Sequence, residues 1–160
     1  MSFSITVTSP DTPDAITLIS ELEAQLDPLY PRESRHGLSV AQLLAQRVAF
    51  FLIRSDGEPA GCGGVKLVGA DCGNYGEVKR MYVRPPFRGR GRGLARAMLD
   101  HLALYAQTHD ISLLRLETGI HQQAAIALYE RAGFTRIPAF GDYQEDPLSI
   151  FFEKRITVGG

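Results

Sequence analysis

The chain has 160 residues, 44% of them hydrophobic, and its 17 basic and 18 acidic residues leave a formal net charge of -1. This length suggests one domain, and the charge balance excludes a global attraction to nucleic acid or to an anionic membrane surface. No apolar stretch approaches the roughly 20 residues that span a bilayer, and residues 1–5 lack the features of a secretory signal. We therefore expect a single cytoplasmic domain over residues 1–160, with no nucleic-acid or membrane partner.

The first part of the chain predicts one strand and two helices. Residues 3–8 alternate apolar and polar side chains, which is typical of a strand, and apolar residues recur at helical spacing over 16–26. A polar loop follows at 28–38. Ser39 is a candidate N-cap for a short helix that continues to about Gln46.

Three strands are predicted next, at residues 48–53, 59–68 and 75–83. Asp56-Gly57 between the first two indicates a tight hairpin, because these residue types tolerate the positive φ angles of such turns. The Gly- and Asn-containing segment at 70–74 predicts a second turn.

Helices and strands alternate in the second half of the chain. Apolar residues at helical spacing predict one helix after Gly93 and another over 125–132, which Gly133 ends. Strands are predicted at 113–117, 134–137 and 148–154. This order predicts an α/β fold in which helices cover both faces of a mixed sheet.

The two cysteines, Cys62 and Cys72, have no neighbours with metal-ligand spacing, and we expect no metal site. Reduced thiols are the favoured interpretation. A disulfide between the two, or a nucleophilic role for Cys62, are the alternatives.

A run of alternating arginine and glycine separates the third central strand from the next helix. The first N–H groups of a helix lack partners within it and, with the helix dipole, they attract phosphate. Glycine lets the backbone approach an anion closely, and arginine adds direct phosphate contacts. We predict a phosphate site here, and an exposed loop that only begins a helix is the alternative. The run consists of Arg88, Gly89, Arg90, Gly91, Arg92 and Gly93.

Two segments resemble the motifs of the GNAT superfamily of N-acetyltransferases. Residues 77–87 followed by Arg88-x-x-Gly91-x-Gly93 look like motif A, whose pattern is Arg/Gln-x-x-Gly-x-Gly/Ala. Residues 125–134 end in Tyr-x-x-x-Gly-Phe and resemble motif B. The match covers about residues 48–154, and both motifs occur in the expected order.

Residues 31–38 and 141–149 are similar to segments of small bacterial members in the YsnE-like group. The resemblance implies a GNAT-like central sheet that is mixed and largely antiparallel, with splayed middle strands and helices on both faces. It implies acetyl-CoA as co-substrate, with the pantetheine arm along strand 77–83 and the pyrophosphate at 88–94. The residues implied to bind it are Met81, Tyr82, Val83, Arg88, Gly89, Arg90, Gly91, Arg92, Gly93, Leu94 and Gln122.

The resemblance also implies two catalytic residues. Tyr129 would be the general acid, and a buried tyrosine of the helix core is the alternative. Glu77 would be the general base, and an exposed strand carboxylate paired with Lys79 or Arg80 is the alternative. Glu117 would bind the acceptor amine or assist the base, although a carboxylate that caps a turn is the commoner explanation.

We predict that the acceptor is a small-molecule primary amine, attacked directly within a ternary complex, because the loops at 28–38 and 139–147 are short enough to form a closed pocket. Acetylation of a protein or peptide, and a non-catalytic acyl-CoA-binding module, are the alternatives. A homodimer is a further expectation, because members of this fold often pair. The candidate substrate residues beside Glu117 are Arg32, Arg35, His36 and Tyr143, and a solvated charged loop is the commoner explanation for the first three.

Overall fold

The computed structural model describes residues 2–69, 74–89 and 93–156 of the chain. Its strands are β1 (Phe3–Val7), β2 (Ala49–Ser55), β3 (Glu58–Val68), β4 (Tyr75–Val83), β5 (Leu113–Gly119), β6 (Thr135–Ile137) and β7 (Ser149–Arg155). Its helices are α1 (Pro13–Leu26), α2 (Val40–Ala45), α3 (Leu94–Thr108) and α4 (Gln123–Arg131), with short 3₁₀ turns at Arg32–Ser34 and Pro85–Phe87. The predicted order of elements is confirmed.

These strands form one sheet in the order β1-β2-β3-β4-β5-β7-β6. Neighbouring strands are antiparallel throughout, except for the central pair β4 and β5, which run parallel. The sheet is therefore mixed and largely antiparallel, as expected. The predicted strand at 113–117 was too short, because β5 continues to Gly119, which pairs with Ser149 of β7.

The two central strands separate soon after they begin. The ladder between β4 and β5 consists of the pairs Gly76–Leu114 and Glu77–Arg115. Further along β4, Arg80 and Met81 together face one residue of β3, and Arg80 has a φ of +55°. Such a β-bulge bends its strand, so β4 diverges from β5 and an opening forms in the middle of the sheet.

Helices cover both faces of the sheet through two separate apolar clusters. In β2, Phe50 and Leu52 pack into the cluster of α1 and α2, whereas Phe51 and Ile53 pack into the cluster of α3 and α4. This alternation is what a strand buried on both faces requires. Within the described ranges, none of the helices combines the length and the apolar character that a membrane crossing needs.

Local signals in the sequence set several boundaries correctly. Ser39 caps α2, and its side chain and that of Gln42 form a reciprocal capping box. Asp56 and Gly57 have φ angles of +49° and +85° in the turn between β2 and β3, which confirms the predicted hairpin. Gly133, with a φ of +94°, follows the end of α4.

Candidate active site

A cavity of about 870 Å³ lies where β4 and β5 separate, on the face of the sheet that α1 and α2 cover. Its walls come from α1, the loop that follows it, the start of α2, and the two diverging strands. This volume is in the range of small-molecule sites. Eight residues predicted from the sequence line it: Arg32, Arg35, His36, Glu77, Met81, Glu117, Gln122 and Tyr143.

Glu77 lies in a cluster with Lys79 and Tyr143 at one wall of the cavity. The Tyr143 hydroxyl donates a hydrogen bond of 2.5 Å to Glu77 Oε2, and Lys79 Nζ lies 2.9 Å from the same oxygen. Lys79 Nζ also donates to the Tyr143 hydroxyl at 2.7 Å. Burial and the negative charge of Glu77 raise the pKa of Tyr143, so its hydroxyl keeps its proton. The Glu77 carboxylate is thus both ion-paired and hydrogen-bonded.

Glu117 extends from β5 toward the same cavity. The Ser149 hydroxyl donates to Glu117 Oε2 at 2.8 Å, and no cation among the described residues forms an ion pair with this carboxylate. Burial raises the pKa of Glu117 above its ordinary 4.5, and the negative charge of Glu77 acts in the same direction. The Ser149 hydrogen bond and the charges at His36 and Lys79 oppose this rise.

Tyr129 lies on the opposite side of the sheet, in the apolar cluster of α3 and α4. Its ring centroid is 5.7 Å from that of Phe134 and 6.0 Å from that of Phe152, and it does not line the cavity described above. Burial raises the pKa of Tyr129, with a smaller contribution from the charge of Glu117. Glu117 therefore lies within electrostatic reach of Tyr129 while it faces the cavity.

Comparisons with known proteins show the family of the chain. The Acetyltransferase (GNAT) family profile matches residues 16–134. The chain belongs to this family. It is 40% identical to an IAA acetyltransferase from Azospirillum brasilense over 91% of the chain and 93% of that protein. It is also 32% identical to the uncharacterized N-acetyltransferase YsnE of Bacillus subtilis (strain 168), over 88% of the chain and 91% of YsnE.

Among solved structures, the chain is similar to a protein from Klebsiella pneumoniae that is assigned as an acyl-CoA N-acyltransferase. The two are 38% identical with a TM-score of 0.78, over 97% of this chain and 98% of that one. The predicted family and fold are confirmed. The protein is accordingly an acyl-CoA-dependent N-acetyltransferase of the GNAT family.

The segment that this GNAT enzyme is predicted to use for the coenzyme pyrophosphate is described in part. Arg90, Gly91 and Arg92 lie outside the described residues. Gly89 and Gly93 have φ angles of +70° and +63°, and Gly93 directly precedes α3. Both glycines therefore adopt the left-handed backbone conformation that other residues rarely tolerate.

Arg88 turns away from the start of α3 and back toward β4. Its Nε donates to the Val83 carbonyl at 2.6 Å, and its guanidinium also contacts Gln25 at 2.7 Å. Leu94, the first residue of α3, is buried in the core, so its side chain is committed to packing. The Tyr82 hydroxyl donates to Glu21 at 3.1 Å on the α1 side.

Arg35 lines the cavity, but its guanidinium has two carboxylate partners within the protein. It pairs with Glu23 and with Asp27 of the α1 end, the latter at 2.6 Å. Arg80 pairs with Glu23 as well, and its Nε donates to the Leu38 carbonyl at 2.9 Å. These contacts fix the loop after α1 against the sheet.

Tyr30 is a cavity residue that sequence reasoning missed. Its hydroxyl accepts a hydrogen bond of 2.9 Å from the His121 backbone N–H and lies 3.4 Å from the Gln122 amide oxygen. A Cβ at Gly119 would lie 2.1 Å from this hydroxyl, so the contact depends on glycine at that position. Tyr30 thereby ties the end of α1 to the junction between β5 and α4, and no local sequence signal indicates it.

Cys62 is a free, buried thiol of β3. Its Sγ donates to the Arg80 carbonyl at 3.4 Å, and burial raises its pKa to about 12. The alternative of a disulfide with Cys72 is therefore wrong, and Cys72 itself lies outside the described residues. A thiol with this pKa is protonated at neutral pH and is a poor nucleophile.

Proposed function

We propose that this enzyme transfers the acetyl group of acetyl-CoA to the primary amine of a small-molecule acceptor, by direct attack within a ternary complex. The position of Glu117 carries the proposal. Its carboxylate faces the cavity on one side of the sheet, and its charge reaches Tyr129 on the other side. In this proposal Glu117 is the proton acceptor, and Tyr129, on the other side of the sheet, is the proton donor.

The residues around the opening fit acetyl-CoA, which supplies the acetyl group as a thioester when bound. Beyond Glu77, β4 is no longer paired with β5, so its backbone groups are available to an extended ligand arm. Gly89 and Gly93 bring exposed backbone to the start of α3, where the helix dipole attracts anions. We assign to this region the predicted cofactor-binding residues of β4 and the two glycines that precede α3, Gly89 and Gly93.

Glu117 is a better candidate than Glu77 for the general base. A lysine and a tyrosine already contact Glu77 Oε2. The pKa of Glu117 is raised. Its Oε2 accepts a hydrogen bond from the Ser149 hydroxyl, whereas its Oε1 has no hydrogen-bond partner among the described residues. A raised pKa strengthens a carboxylate as a proton acceptor near neutral pH. In this proposal Glu117 Oε1 takes the amine proton, and Glu77 sustains the basicity of Glu117 through its charge.

Tyr129 holds the proton that the departing thiolate requires. Its pKa is raised by burial, so the hydroxyl is protonated throughout the neutral range. The buried position that the alternative interpretation predicted is found, and burial keeps the hydroxyl protonated while it makes the group a weaker acid.

Direct transfer is favoured over a covalent acetyl-enzyme. Cys62 is the described thiol, and its pKa of about 12 leaves almost no thiolate at neutral pH. The acceptor amine must then attack the acetyl group itself, which requires both substrates to be bound together.

The cavity favours a small acceptor over a peptide. Tyr143 reaches from the segment before β7 to Lys79 of β4, and the loop after α1 is held by Arg35, so the cavity has walls on several sides. The similar Azospirillum protein is named for acetylation of IAA, and a small acceptor here would fit the same pattern. A cytoplasmic location and a homodimer stay predictions.

Two measurements test the proposal. Acetyl-CoA should raise the melting temperature, since a ligand that binds only the folded state stabilises it. Adenosine, which lacks the phosphopantetheine arm, serves as the control. An acceptor screen that follows free thiol release should then identify small amines, and initial rates at varied concentrations of both substrates should give intersecting lines. Parallel lines, or a stable acetyl-enzyme in intact-protein mass spectra, would contradict direct transfer.

A further inference from the structure

We propose that the acceptor carries an acidic group as well as its amine, as an amino acid does, and that Arg32 and His36 bind that group. The inference rests on the proposed function, since it names the class of substrate that enters the same cavity. Two observations support it: the charges of the cavity walls, and the buried Nε2 of His36, which has no hydrogen-bond partner among the residues that the structure describes.

The charged side chains of the cavity pair with one another almost completely. Arg35 and Arg80 bind carboxylates of α1, and Lys79 binds Glu77. Two charged groups of the wall are left without an ion pair among the described residues: the Arg32 guanidinium and the Glu117 carboxylate. The cavity therefore offers one cation and one carboxylate to a ligand.

His36 is held with its ring toward the cavity by its neighbours in the loop. On one side, Arg35 is fixed to α1 by two ion pairs. On the other side, Gly37 lies against the Arg80 guanidinium so closely that a Cβ would be 2.4 Å from Arg80 Cζ. The edge of the His36 ring packs against Tyr143, with 5.1 Å between centroids. The loop thus has little freedom to move His36 elsewhere.

His36 Nε2 is buried and has no hydrogen-bond partner among the described residues. A buried polar atom in this state carries a free-energy cost, and proteins retain such atoms mainly where a ligand or water satisfies them. An imidazole N–H donates to an acidic oxygen. Arg32, four residues earlier in the same loop, adds a guanidinium that can bind the second oxygen of that group.

The two ends of the cavity together define the ligand. An acidic group at Arg32 and His36 leaves the amine of the same molecule to be directed toward Glu117, which lacks a cation of its own. A polyamine, or any amine without an acidic group, would pair with Glu117 but leave His36 Nε2 without a hydrogen-bond partner. A carboxylate and a phosphonate present the same oxygen chemistry, so both belong to the proposed class.

Matched acceptors test the inference by turnover. The panel contains amino acids, the corresponding amides, the decarboxylated amines and 1-aminoalkylphosphonates, each assayed by thiol release. The acidic members should have kcat/KM values roughly 10- to 100-fold above their amides, the value of one charge-assisted hydrogen bond or two. Comparable turnover of amides and acids would overturn the inference and leave the proposed function intact.

Variants and binding separate the inference from the function itself. Arg32→Gln and His36→Leu should raise KM for the acids far more than KM for the amides, so that the ratio of the two kcat/KM values falls toward one, with partial rescue in Arg32→Lys and His36→Gln. Arg155→Gln is the control, because Arg155 is an exposed arginine at the far end of β7 from Ser149. A variant that merely disturbs the loop would lower turnover of acids and amides alike, and that result would count against the inference.

Binding of the desamino acids, which cannot react, gives the second readout by calorimetry in the presence of CoA. Wild-type protein should bind them, and Arg32→Gln should not. Absence of binding in the wild type would overturn the inference even if amines are acetylated. Binding without any acetylation of the panel would instead contradict the proposed function and retain the anion site.

Discussion

The two faces of the sheet differ in what holds their functional groups in place. On the α3 and α4 face, Tyr129 is packed among aromatic rings, and the glycines before α3 act through backbone conformation. On the α1 and α2 face, polar side chains are fixed by one another across long stretches of sequence. Ser34 bonds Asp146 across 112 positions, and Tyr143 bonds Glu77 across 66.

This difference suggests that the two faces of the sheet have separate functions. In the proposed function, the backbone and the apolar core near α3 bind the acetyl donor. A network of side-chain contacts can change through single substitutions, which suits the side that must recognise a particular acceptor. Substitutions in the two regions should therefore have different effects. Those at Glu117 and Tyr129 should lower kcat, and those in the side-chain network should weaken acceptor binding.

The largest effect should follow from Glu117→Gln. This substitution tests the role of a residue that faces the cavity on one side of the sheet and affects Tyr129 on the other. Loss of a general base typically lowers kcat by about 10²–10⁴-fold, and the variant should keep its affinity for acetyl-CoA. The control is Glu58→Gln in the exposed hairpin. Glu77→Gln should cost less in kcat, because it removes the partner of Lys79 and only the smaller, electrostatic part of the effect that burial has on the Glu117 pKa. The reverse ranking would return the base role to Glu77.

Tyr129→Phe should have the next largest effect. Removal of the proton donor should lower kcat by roughly 10²-fold, while the melting temperature changes little because the ring stays in its apolar site. Tyr105→Phe on α3 is the matched control, since it also removes a hydroxyl from a partly buried ring of the same cluster. Unchanged turnover in Tyr129→Phe would leave the residue a purely structural member of the core.

Sequence reasoning succeeded mostly where the signal was local. The Ser39 cap, the Asp56-Gly57 turn and the glycine after α4 each depend on a few adjacent residues, and all three are found. The mixed, largely antiparallel sheet was predicted from the resemblance to the family.

The acceptor side was less accessible to prediction because long-range contacts create it. The bulge at Arg80 could not be predicted from the sequence, because the residue with the positive φ is an arginine and not a glycine. At this bulge, Lys79 and Arg80 both line the cavity. The sequence placed Arg35 among the substrate residues, but nothing local reveals its two partners on α1. Likewise, Ser149 becomes a partner of Glu117 only through the pairing of β5 with β7.

Tyr143→Phe should have a smaller effect, confined to the acceptor network. The hydroxyl bridges Lys79 and Glu77, and a hydrogen bond of this kind contributes about 0.5–1.5 kcal/mol. We expect KM for the acceptor to rise by a few-fold to about tenfold, with kcat and the affinity for acetyl-CoA unchanged. Tyr82→Phe, which loses a hydrogen bond to Glu21, is the comparison on the other side of β4. A fall in kcat with constant KM would instead place Tyr143 in the chemistry.

The smallest expected effect concerns the pH dependence of stability, to which Glu117 contributes through its raised pKa. The pKa of Glu117 is raised in the folded state above its ordinary 4.5, so the folded protein holds this proton more tightly than the unfolded chain does. The stability that the protonated carboxyl contributes is present below the unfolded pKa and is lost as pH rises through the folded value. At neutral pH the buried charge therefore destabilises the fold.

Glu117→Gln removes this titration and keeps a side chain of similar shape. Its melting temperature should match that of the wild type at about pH 4 and exceed it by a few degrees at about pH 8. Both proteins share every other titrating group, so the difference between the two curves reports the titration of Glu117 together with its coupling to neighbouring charges. A difference that is flat with pH, or that favours the wild type at high pH, would contradict the raised pKa. A less active and more stable variant would show that the enzyme retains an unfavourable buried charge because its reaction requires one.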